Sequence, residues 1–223
     1  MDPKRIAAEK AIGFVRDGML LGLGTGSTAH WAIVGIAERI RKEKLQVRAI
    51  ATSLQSEKLA RDSGISIVPF DKNAVIDLTI DGADEVNRDL DLIKGGGGAL
   101  LREKIVAYNS RQLIIIVDDS KLVAALGRFP LPVEIATFGW ELTAHHLSSL
   151  GCQPKLRMHD GKTFVTDNGH YILDCNFEVI SESAYLNQRI REIPGVMETG
   201  LFVQMASKVI VGYEDGRTET LEG

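Results

Sequence analysis

Cysteine is nearly absent from the 223-residue chain, with Cys152 and Cys175 its only two. Two thiols are too few for a disulfide framework and lack the clustered Cys/His spacing of a zinc site, so they read as buried or idle. Histidine is also sparse: there is no H-E-x-x-H, and the adjacent His145 and His146 point in different directions on a helix, which argues against a metal centre. No apolar run approaches ~18 residues, and Met1-Asp2-Pro3-Lys4-Arg5 leads into an amphipathic pattern without a secretory core. The expectation is a cytoplasmic protein with no membrane partner. Positive charge is not in excess either. With 26 Lys+Arg against 30 Asp+Glu, the net charge of -4 argues against a general polyanion-binding surface, and nucleic acid is not an expected partner. The missing G-x-x-x-x-G-K-[ST] removes a P-loop nucleotide site, and the missing G-x-S-x-G leaves serine-nucleophile chemistry without support.

What the chain does have is glycine, 22 residues of it, collected at strand-to-helix turns as ligand loops rather than spread through linkers. Hydrophobic residues at 44% and charged residues at 25% are those of an ordinary folded protein, long enough for a substantial core. Asp2 as N-cap and Pro3 at the first helical position start a helix with Ile6, Ala7, Ala11, Phe14 and Val15 on its apolar face, stopped at Asp17-Gly18. A short strand over 19–23 then meets a glycine-rich turn, which opens a helix running to about Lys44. Gly24, Gly26 and Ala29 fit G-x-G-x-x-A, but the next strand, 47–51, ends in Thr52-Ser53 and offers no acid for a ribose, which argues against a dinucleotide. What remains is a cradle of amides and hydroxyls, Thr25, Gly26, Ser27 and Thr28. The hydroxyls cap the helix, hold phosphate or sugar oxygens, or do both.

A helix over 53–63, a strand over 65–68 and a strand over 75–80 continue the alternation, and the continuous apolar run 112–117 fits a strand covered on both faces. The expected fold is α/β: a Rossmann-like open, mostly parallel sheet with helices on both faces, plus a smaller α+β (ferredoxin-like) domain. Phe129-Pro130-Leu131-Pro132 marks the boundary. Beyond it come a strand over 133–136, a helix over 139–150, a strand over 153–158, a hairpin of 162–166 and 170–175 through Asp167-Asn168-Gly169, and a helix over 183–193. Strands over 196–202 and 208–213 follow, the second returning to the first sheet. The expected domains are 1–128 with 200–223, and 129–199.

The chemistry is expected in the run from Ile80 to Tyr108. Asp81 ends the strand over 75–80, so Asp81, Gly82, Ala83 and Asp84 fall where open α/β sheets bind ligands. Gly95, Gly96, Gly97 and Gly98 let a ligand approach their amides and open a helix over 99–108, whose dipole suits an anion such as a sugar phosphate or an enediolate oxygen. Lys94 adds a mobile full charge. Glu103, one turn beyond Ala99, can face the same pocket. The plainer alternative is that Arg102, Glu103 and Lys104 form a solvated helix face. Lys121, after Asp118-Asp119-Ser120, is a further polar residue at a strand end.

Six motifs in order, G-T-G-S-T (24–28), D-G-A-D-E (81–85), K-G-G-G-G-A-L-L-R-E-K (94–104), V-D-D-S-K (117–121), F-P-L-P-V-E (129–134) and T-D-N-G (166–169), cover nearly the whole chain. Together they resemble the type A ribose-5-phosphate isomerases, with Arg128 standing where that family suggests lysine. The resemblance implies interconversion of ribose 5-phosphate and ribulose 5-phosphate without metal or organic cofactor. It places the active-site pattern on Asp81, Asp84, Lys94 and Glu103, and substrate contacts on Thr25 to Thr28, Gly95 to Gly97 and Lys121. Glu103 is then the base that moves a proton between C2 and C1 through a cis-enediolate, and Lys94 with the glycine amides stabilises the oxyanion. Asp81 handles hydroxyl protons in ring opening, Asp84 orients the sugar or Lys94, and Lys121 holds a hydroxyl or the phosphate. A homo-oligomer, dimer or tetramer, is expected. Two other readings compete. A sugar-phosphate sensor needs a DNA-binding module, for which the start of the chain leaves no room, and an acyl-transfer enzyme needs a thioester site that the sequence does not display.

Overall fold

In the computed structural model, which describes residues 2–72 and 74–222, the chain falls into two units by contact. The first holds Met1–Ala83, Arg102–Leu122 and Met205–Gly223, and the second Asp84–Leu101 and Val123–Gln204. Residues 84–101, expected with the large sheet, thus pack in the second unit. In chain order the elements are α1 (Pro3–Ile12), β1 (Leu20–Leu23), α2 (Ser27–Glu43), β2 (Arg48–Ala51), α3 (Leu54–Asp62), β3 (Ser66–Ile67), β4 (Leu78–Asp81), β5 (Glu85–Val86), β6 (Leu92–Ile93), α4 (Leu100–Tyr108) and β7 (Leu113–Asp118). Then follow β8 (Leu131–Ile135), α5 (Trp140–Ser148), β9 (Gln153–Leu156), β10 (Met158–His159), β11 (Lys162–Thr163), β12 (Tyr171–Asn176), α6 (Ser183–Arg191), β13 (Val196–Thr199), β14 (Leu201–Phe202), β15 (Lys208–Gly212) and β16 (Thr218–Glu222).

In the first unit the strand order is β16-β15-β7-β4-β1-β2-β3, parallel throughout except for β16 at the edge. Alternation of side chains across the pleat explains how it is covered. Leu21, Leu23, Ala49, Leu78, Ile80, Ile114 and Ile116 share one buried cluster with Ala7, Ala11, Ile33 and Ile36 of α1 and α2. Leu20 and Ile50 instead join Ile76 and Val106 of α4 in a second cluster. Each such fully buried Ile or Leu contributes about 1.5–3 kcal/mol, so both faces must be covered. Helix α1 begins as expected, with the Asp2 carboxylate accepting the Lys4 N–H at 2.9 Å and Pro3 following. It ends at Ile12, short of the expected stop at Asp17-Gly18, because Gly13 takes the C-cap and the chain turns Val15 inward to full burial. The β1-α2-β2-α3-β3 run moves to one side of β1, whereas β4 and β7 lie on the other. The strand order therefore reverses between β1 and β4, the position where open α/β sheets place a ligand crevice.

In the second unit β8-α5-β9-β12-α6-β13 forms an antiparallel sheet in the order β13-β8-β12-β9, a ferredoxin-like arrangement. A separate three-stranded sheet, β14-β6-β5, carries the 84–94 segment. Cys152 and Cys175 are buried free thiols in this unit's core. A hydrogen bond with Cys152, then burial, pushes the Cys175 thiol far above its ordinary pKa. Two expectations need correction. Asp167-Asn168-Gly169 does make a turn, closed by the Thr166 N–H on the His170 carbonyl at 2.9 Å, yet the flanking segments do not pair with each other. The reason is Glu134, fully buried on β8, which accepts from Thr166 Oγ1 (2.9 Å) and Asn168 Nδ2 (3.0 Å) and meets His170 Nδ1 at 2.9 Å, tying the loop to β8 instead. The expected single strand over 196–202 is broken at Gly200 into β13 and β14, which belong to different sheets. A Cβ at Gly200 would stand 2.3 Å from the Lys94 carbonyl oxygen. Among the described residues, no helix is long and apolar enough to cross a membrane.

Candidate active site

Asp81, the last residue of β4, is 1% exposed. Its Oδ1 accepts the N–H of Gly82 at 2.7 Å and of Thr25 at 3.1 Å, so the carboxylate ties the end of β4 to the turn after β1. That turn must carry glycine at 24, because a Cβ there would come within 2.1 Å of the same Oδ1. Gly26 follows in the left-handed region at φ 100, and α2 opens at Ser27 without a side-chain cap. The first amides of this 17-residue helix therefore keep their affinity for an anion.

The hydroxyls of the turn divide between two tasks. Thr25 Oγ1 points into a cluster with Thr52 Oγ1 (2.7 Å), Ser53 Oγ (2.9 Å) and Ser56 Oγ (3.2 Å), and Ser56 Oγ donates to the Gly24 carbonyl at 2.7 Å. Thr25 thus holds the turn in shape. Ser27 Oγ is instead exposed and accepts from Lys4 Nζ at 3.1 Å. Lys4, Ser53 and Ser56 stand outside the motifs of the sequence. Ser53 did carry a signal, as the N-cap of α3 whose hydroxyl accepts the Ser56 N–H at 3.0 Å, but Lys4 carried none.

Glu103 lies in the first turn of α4, 4% exposed, so it is not a solvated face residue. Its charge there complements the positive end of the helix. Lys121 closes a single 3-10 turn, Asp119–Lys121, and is half-buried. Asp118 builds that turn by accepting the Ser120 N–H at 3.1 Å as well as the Ser120 hydroxyl.

In the second unit, the Asp84 N–H donates to the Ile93 carbonyl at 2.8 Å, and its Oδ2 accepts the Gly96 N–H at 2.7 Å. Lys94 is 2% exposed, with Nζ 5.5 Å from the centroid of the Phe202 ring and its own N–H on the Gly200 carbonyl at 2.9 Å. An ammonium so buried is costly unless compensated, and the face of the ring compensates in part. Gly95 (φ 102) and Gly98 (φ 81) take left-handed conformations, and the Gly98 N–H bonds the Gly95 carbonyl at 2.9 Å. A Cβ on Gly98 would stand 2.4 Å from the Phe164 ring. Gly96 and Gly97, between them, are exposed. Glu85 is buried, and its carboxylate accepts the N–H groups of Gly127 (2.8 Å) and Phe129 (2.7 Å), so this member of the D-G-A-D-E motif is structural. Arg128, on the exposed rim, lies 4.0 Å from Glu85.

Asp81, Glu103, Lys121 and the first glycine turn thus belong to the first unit, and Asp84, Lys94 and Gly95 to Gly98 to the second. Only Gly82 and Ala83 separate the two acids of the motif along the chain. Among the described residues no group of three or more His, Cys, Asp or Glu side chains could hold a metal ion.

Comparison with known proteins matches residues 48–216 to the model of the family ribose 5-phosphate isomerase A (phosphoriboisomerase A). The chain belongs to the ribose 5-phosphate isomerase A family. Within this family, the ribose-5-phosphate isomerase A of Bacillus mycoides is 51% identical over 220 residues, covering 98% of this chain and 99% of that protein. The solved ribose 5-phosphate isomerase A of Methanocaldococcus jannaschii superposes with a TM-score of 0.95 at 42% identity, covering 100% of this chain and 99% of that one. A D-ribose-5-phosphate isomerase solved in complex with phospho-erythronic acid gives a TM-score of 0.96 at 38% identity, over 100% of this chain and 98% of that one. Membership in the family, expected from six short motifs, therefore holds over the full length.

Proposed function

We propose that this protein is a ribose-5-phosphate isomerase, interconverting D-ribose 5-phosphate and D-ribulose 5-phosphate in the non-oxidative pentose phosphate pathway. The observation that carries this reading is the full-length likeness to an isomerase bound to phospho-erythronic acid. That molecule joins a phosphate to a carboxylate, and the paired oxygens of a carboxylate resemble those of a cis-enediolate, which a site built for the intermediate should prefer.

On the open-chain aldose, the Glu103 carboxylate removes the proton from C2. The C–H electron pair becomes the C1–C2 double bond while the carbonyl electrons move onto O1. The hydroxyl proton on O2 passes to O1, the C1–C2 electron pair takes the proton back from the same carboxyl at C1, and O2 becomes the ketone oxygen. A positioned base of this kind gives about 10² to 10⁴-fold acceleration. The near-complete burial of Glu103 supports this role, since it takes the carboxylate out of the solvated helix face. Lys94 and the amides of Gly95 and Gly97, on either side of the Gly96 N–H that Asp84 holds, stabilise the oxyanion, where loss of one donor costs roughly 2.7 to 4 kcal/mol. Asp81 handles hydroxyl protons in ring opening, and Asp84 keeps the loop in register through the Gly96 N–H. Gly26, Ser27 and Thr28 take the phosphate, supported by the uncapped start of α2 and by Lys4 beside Ser27. Lys121 holds a sugar hydroxyl, and Gly82 and Ala83 complete the substrate contacts.

A cytoplasmic homo-oligomer, dimer or tetramer, belongs to the same proposal. In the segment 196–205, Leu201 and Phe202 are buried and Met197 is 44% exposed, whereas Phe138 at 94% and Leu142 at 69% are more exposed still; light scattering on the purified protein reads the stoichiometry. Incubation with ribose 5-phosphate in the presence of EDTA tests the activity. Ketose formation at an undiminished rate is expected; a folded protein that forms none refutes the reading.

A further inference from the structure

Arg157, just after β9, has no signal in its sequence neighbourhood, yet its side chain bonds two carbonyls of the second glycine loop. Its Nη1 donates to the carbonyls of Gly95 (2.7 Å) and Gly96 (3.2 Å). Its Nε donates to Asp174 Oδ2 at 2.9 Å and its Nη2 to Asp174 Oδ1, so Asp174 of β12 grips the guanidinium on two points. The backbone is fixed as well, with the Arg157 N–H on the Ile172 carbonyl and the Phe164 N–H on the Arg157 carbonyl, both at 2.9 Å. The side chain is only 13% exposed, and its guanidinium carbon lies 5.9 Å from the centroid of the Phe164 ring, the ring that also abuts Gly98.

The direction of these bonds sets the direction of the loop. In a planar trans peptide the C=O of one residue and the N–H of the next point opposite ways. With the Gly95 carbonyl on Arg157, the Gly96 N–H must face away from it, and there it meets Asp84 Oδ2 at 2.7 Å. With the Gly96 carbonyl also on Arg157, the Gly97 N–H is likewise turned away from the guanidinium. A cation on a carbonyl also polarises that peptide and strengthens its N–H as a donor. A tie needed only to join β9 to β12 would be complete with Asp174 and would leave the glycine carbonyls alone.

We propose that Arg157, anchored by Asp174, is a positioning residue for the isomerisation, holding the carbonyls of Gly95 and Gly96 back so that the Gly96 N–H stays on Asp84 and the Gly97 N–H is turned to the oxyanion. The proposal rests on the reading of Lys94, Gly95 and Gly97 as the oxyanion site. Its test pairs a measurement that needs no substrate with one that does. Amide hydrogen exchange of the Gly95–Gly98 segment is compared in wild type, Arg157→Ala and Arg157→Lys without ligand, alongside turnover of ribose 5-phosphate and the thermal midpoint. In a folded Arg157→Ala the segment should exchange about tenfold faster or more, and kcat should fall about tenfold or more with KM little changed. Millimolar guanidinium should restore part of kcat in that variant and none in wild type. Arg157→Lys should stay impaired, since one ammonium cannot span two carbonyls and a bidentate carboxylate. Unchanged exchange overturns the positioning claim whatever happens to kcat. Faster exchange with wild-type kcat overturns it too, by removing the oxyanion role beneath it, while the isomerase activity itself would then be intact. If Arg157→Ala does not fold, Asp174→Asn, which keeps the volume and weakens the anchor, carries the same comparison.

Discussion

Two glycine-rich turns precede helices in this chain, and they are held by different forces. The turn at Gly24 to Gly26 is set by neutral hydroxyls, with Thr25, Thr52, Ser53 and Ser56 bonded among themselves and one carboxylate, Asp81, closing it from below. The loop at Gly95 to Gly98 is set by charged groups, with Arg157 on its carbonyls and Asp84 on an amide, and Lys94 begins it. Even the need for glycine differs. Gly24 is required because Asp81 leaves no room for a Cβ, whereas Gly98 combines positive φ with an aromatic neighbour. The lesson is that one composition serves two ends: a neutral rigid cradle suits a ligand that arrives already charged, and a charge-braced loop suits charge that develops during reaction.

The sharpest way to break this comparison is Lys94→Ala. Steady-state kinetics should show kcat lower by about 10² to 10³-fold with KM little altered, as for any donor that acts on developing charge. A rise in KM alone would make the second loop a binding cradle like the first. Next in size are Gly24→Ala and Gly98→Ala, each expected to cost roughly 1–3 kcal/mol by overpacking and to lower Tm by a few degrees per kcal/mol in thermal melts. Adding Phe164→Ala should recover part of the loss in Gly98→Ala, because the obstruction is a side chain. No such relief exists for Gly24→Ala, whose Cβ also meets Asp81 Cα at 2.6 Å. Thr25→Val should have the smallest effect, about 1–2 kcal/mol in the same melts, from hydroxyls left with fewer partners, with kcat close to wild type.

Much of this was legible because local chemistry and tertiary role coincide. Asp81 ends an apolar strand, Asp2-Pro3 starts a helix, and a run of glycines before an amphipathic segment announces a loop that opens a helix. What the sequence hid were decisions made by distant residues. Helix α1 stops at Gly13 because Val15 is wanted in the core, and the 167–169 turn fails to zip a hairpin because Glu134, more than 30 positions away, holds it to β8. The 196–202 segment splits at Gly200 because the Lys94 carbonyl passes within reach of any Cβ there. Thr25 looked like a ligand donor, and only the fold reveals that its hydroxyl is used internally. Arg157 lies about 60 residues from the glycines it holds and belongs to no motif, so nothing short of the fold could have found it.

The central claim is that the Glu103 carboxyl carries the proton between the two carbons. Glu103→Gln keeps the shape of the side chain and removes its basicity, so it should fold, bind the sugar phosphate, and fail to exchange the C2 proton. NMR of ribose 5-phosphate incubated with this variant in deuterated water reads that step directly. The C2 proton signal should persist with Glu103→Gln while wild type, under the same conditions, converts the sugar and loses it; loss of the signal at the wild-type rate in Glu103→Gln would contradict the role of this carboxyl.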